Sequence, residues 1–332
     1  MVTSRQFVRG VGRTMRAMDR AAKQAERQRI VRQQAMDRQA QLNAAARAAA
    51  EYEAVIEALT GAHRVRLNRR DWLTTATSPA VPEPERQNHA ETAAAARLAD
   101  YSPGLMTRLL RREAKVRLRL SDDIDAARWQ DDADHDRAIE AARIRNAEIE
   151  AAQRLVERDP DALAAALEAH SSLGDLPFSV EDVETLFIDK RIVAVVDGLD
   201  LEDMPTETVS LLKSGKASIK DLATGKRQEL HRDTICSAAV RVALEYLSAL
   251  PVDEVEVVML TDVLDLATGH IEALPVLYLK VAAQAVKMLN LERTEAYPLV
   301  ERLGGHMSWT KRDGFRPINA AAFGVDLATP RP

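Results

Sequence analysis

The sequence predicts an α+β protein: a long N-terminal helical region, coiled coil or helical hairpin, followed by a small mixed α/β domain. Three observations carry this expectation. Up to His170 nearly every window is Ala, Arg, Glu, Gln or Asp in helical order, with Gly and Pro confined to a few breakpoints. Beyond Ser171 β-branched runs appear, at Ile192–Val196 and Val255–Leu260, patterned as buried strands. The charge divides along the chain as well, with +11 over residues 1–120 and −16 over residues 121–332, which add to the net −5. The expected boundaries are 1–170 for the helical region, with a Pro-rich corner at 77–84, then 171–320 for the α/β domain and 321–332 for a C-terminal tail.

Taken in order, Arg13–Thr60 contains neither Pro nor Gly and is dominated by strong helix formers. One helix of about 70 Å is expected there at the rise of an α-helix. Val8, Val11, Met15, Met18, Ala22 and Ala25 alternate at spacings of three and four, the seam of a coiled coil. Thr77–Pro84 (TSPAVPEP) cannot be helical throughout, because each proline lacks an amide proton and constrains its predecessor. After a short Ala-rich helix and the turn at Ser102–Gly104, Leu105–Arg158 is free of both breakers and is expected to form a second long helix, pairing with the first as a hairpin. Within it, Gln130–Arg137 (QDDADHDR) is expected to face solvent or bend.

In the α/β part, Ser179 with Asp182 three residues on resembles a helix start ahead of Val183, Leu186 and Phe187. Ile192–Val196 is the first expected strand, and Ala217–Ile219 a short strand among turns. A helix capped at Asp233 or Thr234 runs to a stop at Pro251. Strands at Val255–Leu260 and Pro275–Val281 are expected to pair antiparallel, and Asp313–Gly314 between aromatic residues suits a tight hairpin.

Composition excludes some functions. A single cysteine, Cys236, rules out an intrachain disulfide and cysteine-rich metal sites, and fits a reducing cytoplasm. No run approaches the roughly 18 apolar residues of a membrane span. No cofactor is predicted. Ser214–Ala217 lacks the flanking residues of a phosphate-binding loop, and His231–Asp233 lacks the rest of a kinase catalytic loop.

Arg5, Arg9, Arg13, Arg16, Arg20, Lys23 and Arg27 recur every three or four residues, making the first helix basic and amphipathic. Such a face suits an anionic surface, either nucleic-acid phosphates or the inner membrane. Lys213, Lys216, Lys220, Lys226, Arg227, Lys311 and Arg312, beside Trp309 and Phe315, form a second candidate contact for phosphate or nucleic acid. Asp197, Asp262 and Asp265 follow predicted strands, where α/β sheets hold ligands, and are the candidate metal-binding carboxylates of a nuclease-like alternative. That alternative would be an enzyme of nucleic-acid processing, for instance in phage defence.

The stretches KSGKASIKDL, ICSAAVRVALEYLSALPVDEVEVVML and LDLATGHIEALPVLYL, behind a long helical region, resemble an uncharacterised group of bacterial proteins with this two-part architecture. The resemblance carries no catalytic residues across. The leading expectation is therefore a non-enzymatic interaction protein of the cytoplasm, whose helical region self-associates or docks a protein partner. A further expectation is peripheral membrane attachment through Val8, Val11, Met15 and Met18.

Overall fold

The computed structural model describes residues 4–66, 68–175, 180–264 and 268–327. The architecture is α+β, as expected. Two compact units divide it, one of residues 1–67, 172–245 and 253–332, the other of residues 68–171 and 246–252.

The first unit opens with α1 (Ser4–Thr60), unbroken for 57 residues as its composition dictates. The side chains of residues 4–25, 27 and 28, which include the seam and the arginine stripe, lie outside the described ones. The C-terminal half of α1 packs through Ala45, Ala49 and Leu59, which are buried.

The sheet begins with β1 (Val180–Ile188), antiparallel to β2 (Arg191–Gly198). The helix expected from Ser179 is thus a strand, and Ser179 itself lies outside the described residues. The segment VEDVETLFI carries Val, Thr, Phe and Ile, which suit either period over nine residues, and pairing with β2 decides for the strand. A small hairpin of β3 (Glu207–Leu211) and β4 (Ala217–Asp221) packs beside α1, where Gly215 in the turn lies against Leu42.

Helix α7 (Thr224–Ala249) then crosses over to β5 (Glu254–Leu264), which pairs parallel with β2. Strand β6 (Ile271–Ala282) pairs antiparallel with β5, as expected. The hairpin of β7 (His306–Thr310) and β8 (Gly314–Arg316) completes the order β1-β2-β5-β6-β7-β8. Gly314, at φ 76°, closes its three-residue loop in the left-handed conformation. Helix α7 starts nine residues before Asp233, which therefore caps nothing.

The sheet is covered on both faces. Ile235 of α7 reaches Gly198 and Met259 beside it. On the other face Val193, Val195, Val258, Leu260 and Tyr278 pack against the C-terminal segment through Ala320 and Val325. Arg191 fastens that segment: it donates to the carbonyl of Phe323 at 2.8 Å and pairs with Glu256, which is buried in β5.

In the second unit, the short helices α2 (Trp72–Ala76), α3 (His89–Ala99) and α6 (Pro160–His170) pack on α5 (Glu113–Val156). The expected single helix over 105–158 is divided, because α4 (Leu105–Leu109) stops where Arg111 turns left-handed at φ 49°. The amides of Arg111 and Arg112 close the helix end on the carbonyls of Arg108 and Thr107. Gln130–Arg137 neither bends nor lies wholly in solvent. Asp131 is buried there and accepts from the amides of Ala90 (3.0 Å) and Glu91 (2.8 Å), capping α3 from a distant helix. The carbonyls of Ser248, Ala249 and Val252 receive Arg70, the Trp72 indole and Arg69, so the tail of α7 belongs to this unit.

Candidate functional site

Strands β2 and β5 run parallel, so both carboxyl ends open at one edge of the sheet, beside the first turns of α7. There β2 passes into Leu199 and Asp200. The Asp200 carboxylate accepts from the Thr261 hydroxyl (2.8 Å) and the Asp262 amide (2.7 Å), which binds the loop after β2 to β5. Next to it, His231 of α7 is only 2 % exposed, and its Nε2 lies 2.9 Å from the carbonyl of Leu199. Nε2 carries the proton, since a carbonyl can only accept, which leaves Nδ1 as an acceptor. Burial lowers the His231 pKa and favours this neutral form.

A cavity of about 560 Å³ opens at this edge. Its walls are apolar, from Leu201, Val263, Leu264, Phe315 and Pro317, with Gln228, His231 and Asp262 as the polar groups and Arg316 paired to Asp313 at the margin. Phe315 meets His231 edge-on, with ring centroids 5.3 Å apart. Burial, and then the charges of Asp200 and Glu202, push the Asp262 carboxyl above its ordinary range. Gln228 is 7 % exposed. It lies against Gly314, where a Cβ would stand 2.2 Å from its Oε1.

Of the carboxylates singled out in the sequence, Asp262 lines this cavity, Asp197 sits within β2 opposite Leu260, and Asp265 lies outside the described residues. Among the described residues no group of three or more His, Cys, Asp or Glu is arranged to hold a metal ion.

The basic patch disperses. Lys226 and Lys311 both bind Glu229 at 2.7 Å, and their hydrogen bonds pull its carboxyl down to about 2. Arg227 donates to the carbonyls of Met204 and Glu202. Trp309 is taken by Arg232, whose guanidinium lies 4.5 Å from its ring and 3.9 Å from that of Tyr297, so this indole has a cation on it already. Lys213, Lys216 and Lys220 are exposed on the β3–β4 hairpin, and Arg312 is exposed beside Asp313.

Sequence reasoning passed over Asp200, Gln228, Thr261 and the cavity role of His231. The signal that was present is helical spacing: Gln228, His231, Thr234 and Ile235 continue the α7 face back beyond Asp233. Cys236 is fully buried on α7, and burial pushes its thiol up, away from the reactive thiolate.

Among the described residues no helix is long and apolar enough to cross a membrane. No family model matches the chain, and neither a curated protein nor a solved structure matches it.

Proposed function

We propose that the protein is a non-enzymatic interaction protein that self-associates through α1 and displays its sheet-bearing module. One observation carries this reading. Ile30, Val31 and Met36 of α1 are 51, 63 and 61 % exposed, whereas the buried residues of the helix lie further on, at Ala45, Ala49 and Leu59. Met36 stands 28 residues after Val8, in frame with Val8, Val11, Met15 and Met18, while Arg29 and Arg32 interrupt that frame with Ile30 and Val31 beside them; a second copy of the helix would cover these exposed apolar side chains. The arginine stripe Arg5–Arg27 on the same helix then faces an anionic surface.

The test is light scattering on the full chain, with Val31→Glu/Met36→Glu as the comparison. A defined oligomer that falls to the mass of one chain in the variant supports the reading. A wild type that already runs as one chain refutes it. Nuclease activity that requires a divalent cation and is lost in Asp262→Ala would replace it with the enzymatic alternative.

A further inference from the structure

The second unit leaves a group of leucines in the open. Leu105 and Leu109 of α4 are 85 and 78 % exposed, and they stand one turn apart, on one face of that helix. Leu110 beside them is 52 % exposed, and the left-handed turn at Arg111 keeps α4 from continuing into α5. Scattered apolar side chains on a surface need no explanation, but three within six residues make a patch, and patches of this kind mark binding surfaces.

The same segment is cationic. Residues 105–117 hold Arg108, Arg111, Arg112, Lys115 and Arg117 against a single acid, Glu113, a balance of +4, and Glu113 is already paired with Arg117 at 3.0 Å. The other four cations have no acidic partner among the described residues. Asp100, at the end of α3, lowers the balance over 100–117 to +3. The acids that follow, Asp122, Asp123 and Asp125, begin about 10 Å further along α5 from Lys115, roughly one Debye length, and Asp125 meets Arg128 at 3.6 Å.

From this we infer that α4 and the start of α5 dock on a lipid surface bearing anionic headgroups, with the leucines between the upper acyl chains and the cations at the phosphates. Such a surface covers both parts of the patch at once, the arrangement of a helix that lies in the membrane interface without crossing it. A nucleic acid pairs with the cations but leaves the leucines in water, and residues 105–117 offer no aromatic side chain on which a base could stack. The patch lies wholly in the second unit and shares no residue with α1.

The experiment is flotation of the full chain with vesicles of phosphatidylcholine alone and of equal parts phosphatidylcholine and phosphatidylglycerol, at low and high salt. Binding is expected to the anionic vesicles only, and to weaken as salt rises. Leu105→Ser/Leu109→Ser, an exposed change that leaves the fold alone, should weaken it about tenfold or more. Arg108→Gln/Arg112→Gln should weaken it about thirtyfold at low salt. Both variants should keep the wild-type mass in light scattering, which separates this inference from self-association through α1. In Leu109→Trp the added emission should shift to the blue on anionic vesicles and be quenched by lipids brominated in their acyl chains. No binding to anionic vesicles, an unshifted emission, or binding unchanged in both double variants and lost instead in Arg13→Gln/Arg16→Gln/Arg20→Gln of α1 overturns the inference. So does binding of duplex DNA through Arg108 and Arg112 that is indifferent to the leucines.

Discussion

Replacing Arg241 by Met should be among the most damaging single changes to the first unit. Arg241 and Glu245 lie one turn apart on α7, and the Glu245 side chain is 1 % exposed. The guanidinium pairs with Glu245 at 2.7 Å and also donates to the carbonyl of Ala62 (3.2 Å) and the hydroxyl of Ser172 (2.8 Å). Met keeps much of the side-chain volume but removes the paired cation from Glu245, which still accepts from the amide and hydroxyl of Ser172. Removing one partner of a buried ion pair costs about 3–5 kcal/mol. With a urea m-value of about 2–3 kcal/mol/M, the unfolding midpoint should fall by about 1–2 M. Adding Glu245→Leu removes the stranded charge, so the double variant should recover at least half of the loss. Urea unfolding followed by far-ultraviolet circular dichroism measures all four corners of the cycle. A loss below about 1 kcal/mol in the single variant, or a double variant as unstable as the sum of the singles, would refute the reasoning.

Stability should also depend on pH through two buried histidines. His63 is held between the hydroxyl of Ser237 (3.0 Å) and the carbonyl of Thr294 (3.1 Å), and burial lowers its pKa as it does that of His231. The unfolded chain therefore binds more protons below its ordinary value of 6.5, so this contribution is complete above that value and is lost as pH falls through the folded pKa. The thermal midpoint should drop between pH 7 and pH 5, and less steeply in His63→Gln. Gly314→Ala forces a side chain into a left-handed position and against Gln228, and should cost about 1–3 kcal/mol, read as a lower urea midpoint. Arg191→Ala removes the donor to Phe323 and should make residues 318–327 the first target in limited proteolysis, with the rest of the sheet still protected. Asp131→Ala uncaps α3 and should lower the thermal midpoint, whereas Asp136→Ala on the same helix should not.

Residues whose structure depends on their immediate neighbours were legible in the sequence. Residues 13–60 of α1 follow from a stretch without Pro or Gly, and α5 ends at Val156, close to Arg158 where the second breaker-free stretch ends. Strands β2 and β5 declared themselves through β-branched runs, and Glu256 as the one interruption is buried because Arg191 faces it from the neighbouring strand. Asp131 was not legible, because an aspartate among aspartates has the composition of a solvated surface. Its two amide donors come from a helix about forty residues earlier.

The same division explains the candidate site. Its carboxylate Asp262 was visible as an acidic residue after a strand, but Gln228 and His231 gain their meaning only when α7 lies beside β5 and the terminal hairpin closes over them. The sequence by itself determined which segments are helices or strands wherever local propensity and hydrophobic period agree, because those preferences act within a turn or two of chain. Only the tertiary structure decided β1, the early start of α7 and the cavity, because each depends on groups distant in the chain that meet only after folding: a paired strand, a crossover helix, and a glycine beside an amide.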